Sequence, residues 1–189
     1  MPQRRAFVLV LLLLLSTTAF SQVKKADIVN FISAAYSVKT FTTAPVDSKD
    51  LELILHCGVQ APSARNSQPW HFTVVKDLTT MKKIIPDAMD GNVLVVISGL
   101  DQHDHSAAIA FDCALATENM YLAAQSLGLG SHIYTGPVAS FNANYKDLVG
   151  IPVGYAAVAI LKIGNVAQNA DAVSSASRRK ADPETIDYR

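Results

Sequence analysis

What the sequence lacks narrows its class. Two cysteines cannot build the disulfide framework of a small secreted scaffold. Sixteen basic residues stand against sixteen acidic ones, and no basic stripe stands out, which argues against nucleic acid as a partner. No block of like charge, internal repeat or low-complexity tract interrupts the chain, so solenoids and disordered arms are excluded. No Gly-x-Gly-x-x-Gly follows a strand-like run, so no separate dinucleotide fold of that kind is on offer. Long apolar runs are missing as well. The one at residues 7–15 falls short of the roughly 20 residues that a membrane span requires.

That short run reads instead as the core of a leader. Arg4 and Arg5 precede it, residues 16–21 are mostly small and polar, and Ala19 and Ser21 fit the −3 and −1 positions of a secretory cleavage site. The expectation is a signal peptide over residues 1–21 and an exported chain, periplasmic or secreted, starting near Gln22. An uncleaved membrane anchor is the alternative. No cysteine follows the run, which disfavours a lipid anchor. Residues 22–189 then make a single domain of about 168 residues, enough for a sizeable core. It carries 14 basic and 16 acidic residues, a formal charge of −2.

Apolar spacing sketches the elements. Residues 23–35 read as a helix with Ile28, Phe31 and Ile32 on one face. A second helix ends near Val59, with Asp47 and Ser48 as cap candidates and Asp50 and Glu52 in its first turn. Residues 72–75 suggest a strand, residues 79–85 a short helix stopped by Pro86, and residues 93–98 a strand buried on both faces. The longest helical signal covers residues 106–127, where Ile109, Cys113, Ala116, Met120, Ala123, Ala124 and Leu127 share one face and Gly128 suits a left-handed cap. Its alanines let another backbone come close. Residues 145–149 suggest a short helix and residues 155–163 a last strand. Cys57 and Cys113 fall in helical segments among apolar neighbours; a disulfide between them and a pair of buried thiols are both compatible with the pattern, and buried thiols are preferred. The run Asp101-Gln102-His103-Asp104-His105 has metal-ligand chemistry, but residues this close in a loop converge only by chance of conformation, and a polar cap for the next helix is preferred.

Residues 61–72, Ala-Pro-Ser-Ala-Arg-Asn-Ser-Gln-Pro-Trp-His-Phe, join a helix to a strand. Pro62 and Pro69 each fix φ and bias the residue before them. Between them Ser63, Asn66, Ser67 and Gln68 offer amides and hydroxyls that suit a flat polar heterocycle. Composition alone also allows a proline-bracketed loop with Trp70 as a core plug. The order of the residues resembles the flavin loop of the nitroreductase family of FMN-dependent oxidoreductases, and Ser37-Val38-Lys39-Thr40-Phe41 resembles that family's N-terminal signature. Ala35 and Tyr36 stand where the family usually has Arg. Asp112, Asn119 and Leu127-Gly128-Leu129-Gly130 resemble its central helix, and Pro152, Gly154, Tyr155 and Gly164 its last strand.

The resemblance implies an α+β fold with a mostly antiparallel sheet flanked by helices, in a homodimer holding FMN at the interface. It implies that Pro62, Ser63, Asn66 and Gln68 meet the isoalloxazine and ribityl groups. Ser37 belongs to the same site, and Lys39 lies by the pyrimidine side of the flavin. Tyr134, Thr135 and Gly136 cover a flavin face with a backbone N–H toward N5, and Arg178 and Arg179 reach the phosphate. Small-molecule electron donors and acceptors are the expected partners. Two alternatives stay open: a flavin-binding protein without turnover, and a structural dimer that has lost the flavin.

Overall fold

The computed structural model describes residues 25–101, 106–167 and 179–189. The expected signal peptide, most of the Asp101–His105 cluster and Arg178 lie outside them. The chain divides after Ser33. Helix α1, Lys25–Ala34, closes the N-terminal part where residues 23–35 predict a helix.

In the larger part, Asp47 caps helix α2 (Ser48–Val59), its Oδ1 accepting the Lys49 N–H at 2.8 Å. Strand β1 follows at Trp70–Val75. Helix α3 (Leu78–Ile84) is capped in the same way by Asp77, whose carboxylate accepts the Thr80 N–H at 2.7 Å. Then come strand β2 (Val93–Leu100), the long helix α4 (Ser106–Ser126), strand β3 (Gly130–Tyr134), helix α5 (Val138–Asn144) and strand β4 (Tyr155–Gly164). The four strands form one antiparallel sheet in the order β1-β2-β4-β3.

With β2 and β4 central, their apolar runs are buried on both faces. Val93, Val95, Ile97, Leu161 and Ile163 meet Leu51 and Ile54 of α2 and Cys113 and Met120 of α4. Leu94, Val96 and Ile160 pack with Met81 of α3 and Phe141 of α5 on the other side. The register of β2 against β4 shifts between Ile97 and Ser98, just where the sheet passes under the start of α4. Gly99 lies there because a Cβ would come 2.5 Å from Ile109 Cγ2 and 3.0 Å from Cys113 Sγ.

Gly128 ends α4 at φ +78°. Its N–H reaches the Gln125 carbonyl and the Leu129 N–H reaches that of Ala124, both at 3.0 Å, the paired bonds of a Schellman cap. This cap swaps two leucines relative to the predicted face: Leu127 is exposed and Leu129 takes the core position. Ala116 and Ala124 are wholly buried inside the subunit, so the alanine face is spent on the chain's own sheet and α2.

Three further expectations change. Tyr134, expected with Thr135 and Gly136 in a covering segment, instead ends an edge strand over residues 130–134, because Gly130 lets Val38 and Val166 close over the backbone. The short helix expected at residues 145–149 lies earlier, as α5; Tyr145 is its C-cap and residues 145–150 are turns. Both cysteines are free thiols, and only Cys113 is fully buried.

Candidate functional site

The connection from α2 to β1 is held by its own backbone. The Asn66 N–H bonds the Ser63 carbonyl at 3.0 Å, the Ser67 N–H bonds that of Ala64 at 3.1 Å, and the Ser63 hydroxyl accepts the Gln68 N–H at 3.0 Å. The turn is tight enough to force Arg65, Asn66 and Gln68 to φ of 55°, 56° and 46°, a region where side chains other than Gly are uncommon. Helix α4 anchors it from below. Asp112 accepts the Ala64 N–H at both oxygens (3.1 and 3.2 Å), and the Asn119 amide donates to the Cys57 carbonyl at 3.1 Å. Pro62, Asn66 and Gln68 are exposed and Ser63 is half-buried. The Asn66 side-chain amide has no partner among the described residues, while Gln68 makes a 3.5 Å contact with the Asn66 carbonyl.

A second group forms along β3. The Val38 N–H bonds the Ser131 carbonyl at 3.1 Å, and His132 Nδ1 donates to the Val38 carbonyl at 2.9 Å. Val38 is 2% exposed, which in an extended segment leaves Ser37 and Lys39 on the opposite side. Lys39 is exposed and pairs with no described residue, while Ser37 is half-buried. Thr135 and Gly136 follow β3, both exposed. Gly136 has neither a positive φ nor any atom within 4 Å of where a Cβ would lie, so the chain's own fold does not require a glycine there.

Tyr134 faces elsewhere. Its hydroxyl contacts Asp87 at 3.3 to 3.4 Å, on the face of the sheet that carries α3 and α5. There Lys162, 1% exposed, bonds Asp87 at 2.8 Å with its Nζ 4.8 Å from the Phe41 ring and 5.4 Å from the Tyr134 ring. Desolvation works to raise the Asp87 carboxyl, but the hydrogen bond and charge of Lys162 prevail and hold it below the usual carboxylate range. Burial, with the Asp87 charge next, pushes the Tyr134 hydroxyl upward. Arg179 is exposed in the tail; Arg178 lies outside the described residues.

The predicted residues thus fall into two groups by place, Ser37 and Lys39 beside the start of β3 with Thr135 and Gly136 beyond its far end, and Pro62, Ser63, Asn66 and Gln68 in the connection from α2 to β1. No hydrogen bond, ion pair or ring contact among the described residues joins one to the other. Beside the second group lies a cleft of about 360 Å³, lined among others by Arg65, Pro69, Leu100, Ile109 and Asp112.

Comparison with known proteins bears on this arrangement. The sequence model of the nitroreductase family matches residues 32–94 and 88–165. The chain belongs to the nitroreductase family. A relative from Archaeoglobus fulgidus, provisionally named an NADH dehydrogenase/NAD(P)H nitroreductase, is 32% identical over 139 residues, 68% of this chain and 79% of that one. The crystal structure of a Bacteroides fragilis nitroreductase with bound FMN superposes with a TM-score of 0.70 at 23% identity, covering 86% of this chain and 98% of that one. A Parabacteroides distasonis structure provisionally named in the same way as the Archaeoglobus relative gives 0.71 at 25% identity, covering 86% and 97%. The nitroreductase fold, α+β with an antiparallel sheet, is thereby established for this chain.

Two residues that sequence reasoning did not single out for the site line the cleft of this nitroreductase-family chain. Asp112 matches the family's central helix, but only the structure reveals it as the loop's anchor. Arg65 sits inside the recognised loop, and its signal was a bulky cation between two small or amide residues. Cys113, behind Asp112, is an inert thiol: burial, with the Asp112 charge next, pushes it up to about 12. Among the described residues no cluster of His, Cys, Asp and Glu could hold a metal.

Proposed function

We propose that the chain is an FMN-dependent oxidoreductase passing hydride from a reduced donor, through flavin N5, to a quinone, a nitro compound or another conjugated electrophile. The observation that carries this reading is a set of groups the fold itself leaves unused: the Lys39 ammonium, the Asn66 amide and the unforced Gly136. A flat, polar cofactor accounts for all three.

FMN supplies the hydride chemistry when bound. The chain holds and biases it. Pro62, Ser63, Asn66 and Gln68 take the ring and ribityl groups on a loop kept rigid by Asp112. Lys39, next to Ser37, gives a fixed positive charge that favours the anionic reduced ring. The backbone at Thr135 and Gly136 directs an N–H toward N5, and Arg178 and Arg179 serve the phosphate in place of the cations that Ala35 and Tyr36 do not provide. Tyr134 contributes its backbone, since its side chain is engaged by Asp87.

A homodimer belongs to the same reading. No contact among the described residues joins the two groups within one chain, and the outward side of α4 leaves Phe111 65% exposed beside the exposed Ala108 and Ala114. An exposed aromatic among small apolar residues is the kind of surface that a partner subunit covers. The chain is exported after cleavage near Gln22, as its leader-like start supports.

The absorption spectrum of the purified protein tests the proposal. Flavin bands, and a heat-released chromophore identified as FMN and not FAD, are expected. Asn66→Ala is expected to weaken FMN binding by about 1–3 kcal/mol, the range for buried groups left unpaired. A colourless protein that takes up no FMN at micromolar concentration overturns it.

A further inference from the structure

The cleft of about 360 Å³ beside residues 61–69 has a charge character that its location alone does not explain. Pro69, Leu100 and Ile109 give it apolar wall, and two charged side chains line it. Asp112 is 4% exposed and directs both oxygens at the Ala64 N–H, so the carboxylate is engaged by the loop backbone. Arg65 is exposed, and its guanidinium forms no hydrogen bond or ion pair with any described residue.

The Arg65 backbone is also held in place. Its φ is 55°, and the bonds from Asn66 to Ser63 and from Ser67 to Ala64 close the backbone around it, while Asp112 ties the preceding N–H to α4. A left-handed position of this kind ordinarily carries Gly, Asn or Asp. Here it carries a cation whose planar fork matches a carboxylate with two parallel hydrogen bonds. Beside low-dielectric walls such a pair is stronger than in open water. The apolar wall suits the face of a conjugated ring, and the guanidinium suits an anionic substituent on it.

We infer that Arg65 makes this cleft selective for acceptors carrying a carboxylate on a conjugated ring. The inference rests on the flavin reading for what is reduced, and on the cleft alone for what is bound.

The test compares 4-nitrobenzoate with its uncharged isostere 4-nitrobenzamide. Calorimetric binding to the purified full-length protein comes first. The carboxylate is expected to bind roughly tenfold tighter than the amide, as for a hydrogen bond to a charged group, with the preference shrinking as salt is raised. Arg65→Gln should abolish the preference and leave amide binding unchanged, and Arg65→Lys should keep part of it. Circular dichroism verifies that each variant is folded. Stopped-flow oxidation of the reduced protein by the two acceptors should follow the same order. A carboxylate preference that survives in Arg65→Gln, or that is missing from the wild-type protein, overturns the inference. So does an Arg65→Gln variant that loses only its rate with NADPH, which would assign the guanidinium to donor phosphates. A protein without flavin absorbance overturns the oxidoreductase reading separately, and the calorimetric comparison then still decides for or against Arg65.

Discussion

Asp87 is a surface carboxylate with a buried partner. Lys162, at 1% exposure, has Asp87 as its only ion-pair partner among the described residues. Removing one half of a fully buried pair costs about 3–5 kcal/mol, but the Asp87 side chain is 59% exposed and water screens it, so Asp87→Asn should cost about 1–2 kcal/mol at neutral pH. The folded carboxyl titrates below its ordinary 3.8, so its contribution is complete above that value and is lost as the pH falls through the lower folded one. Urea unfolding at neutral pH and in acid should therefore show wild type and variant converging in acid; an equal gap at both pH values would show that the charge is not what matters. Lys162 was not legible in the sequence, because a lone lysine in a strand reads as solvent-facing until Phe41, Tyr134 and Asp87 are seen to enclose it. Asn66 and Ser63 were legible for the opposite reason, since a contiguous motif specifies them without tertiary knowledge.

Glycine positions set apart the elements whose cause is local from those set by packing. Gly128 stands in open space at φ +78°, so Gly128→Ala should cost only the left-handed strain of about 1–2 kcal/mol. Gly99 has an ordinary φ but no room under α4, so Gly99→Ala should cost about 1–3 kcal/mol through overpacking and loosen the start of the helix that carries Asp112. Thermal unfolding with amide exchange at residues 106–112 separates the two: Gly99→Ala alone should speed exchange there, and equal protection in both variants would refute the distinction. The same contrast explains which elements could be read in advance. Helix α4, strand β2 and strand β4 have apolar runs long enough to declare themselves. Strand β3 contains Gly, Ser and His and exists because Val38 and β4 hold it. Helix α5 buries only Phe141, whereas Tyr145 and Val149, four residues apart, imitate a helix in a segment whose end is fixed by Gly150 at φ +72°.

At the scale of the molecule the proposed homodimer turns on the outward side of α4. Phe111 and its neighbours make an apolar stripe interrupted by Glu118, whose carboxyl is raised by burial even in the single chain. Light scattering is expected to give a dimer mass at micromolar concentration, and Phe111→Glu is expected to yield monomers with weakened FMN binding. A wild-type monomer that retains flavin would contradict the assembly and with it the joining of the two groups of site residues.

Export and electron supply bear on one another. Relatives are named for NAD(P)H, whose pools are cytoplasmic, whereas the proposed signal peptide over residues 1–21 would direct this chain outward. Only α3 and the turns of residues 85–92 separate β1 from β2, so this connection offers little lid with which to grip a dinucleotide. The expectation is that NADH and NADPH reduce the bound flavin poorly, and that a quinol, a small reductant or a protein partner is the working donor. Anaerobic stopped-flow reduction compares NADH, NADPH and a soluble quinol analogue on the same preparation. Faster reduction by the quinol supports the exported role. Saturable reduction by NADH or NADPH at micromolar concentrations, in the range ordinary for enzymes, would overturn the donor assignment. N-terminal sequencing of protein from its native host would then decide the compartment independently, since an intact Met1 in a soluble cytoplasmic fraction removes the compartment argument against a nicotinamide donor.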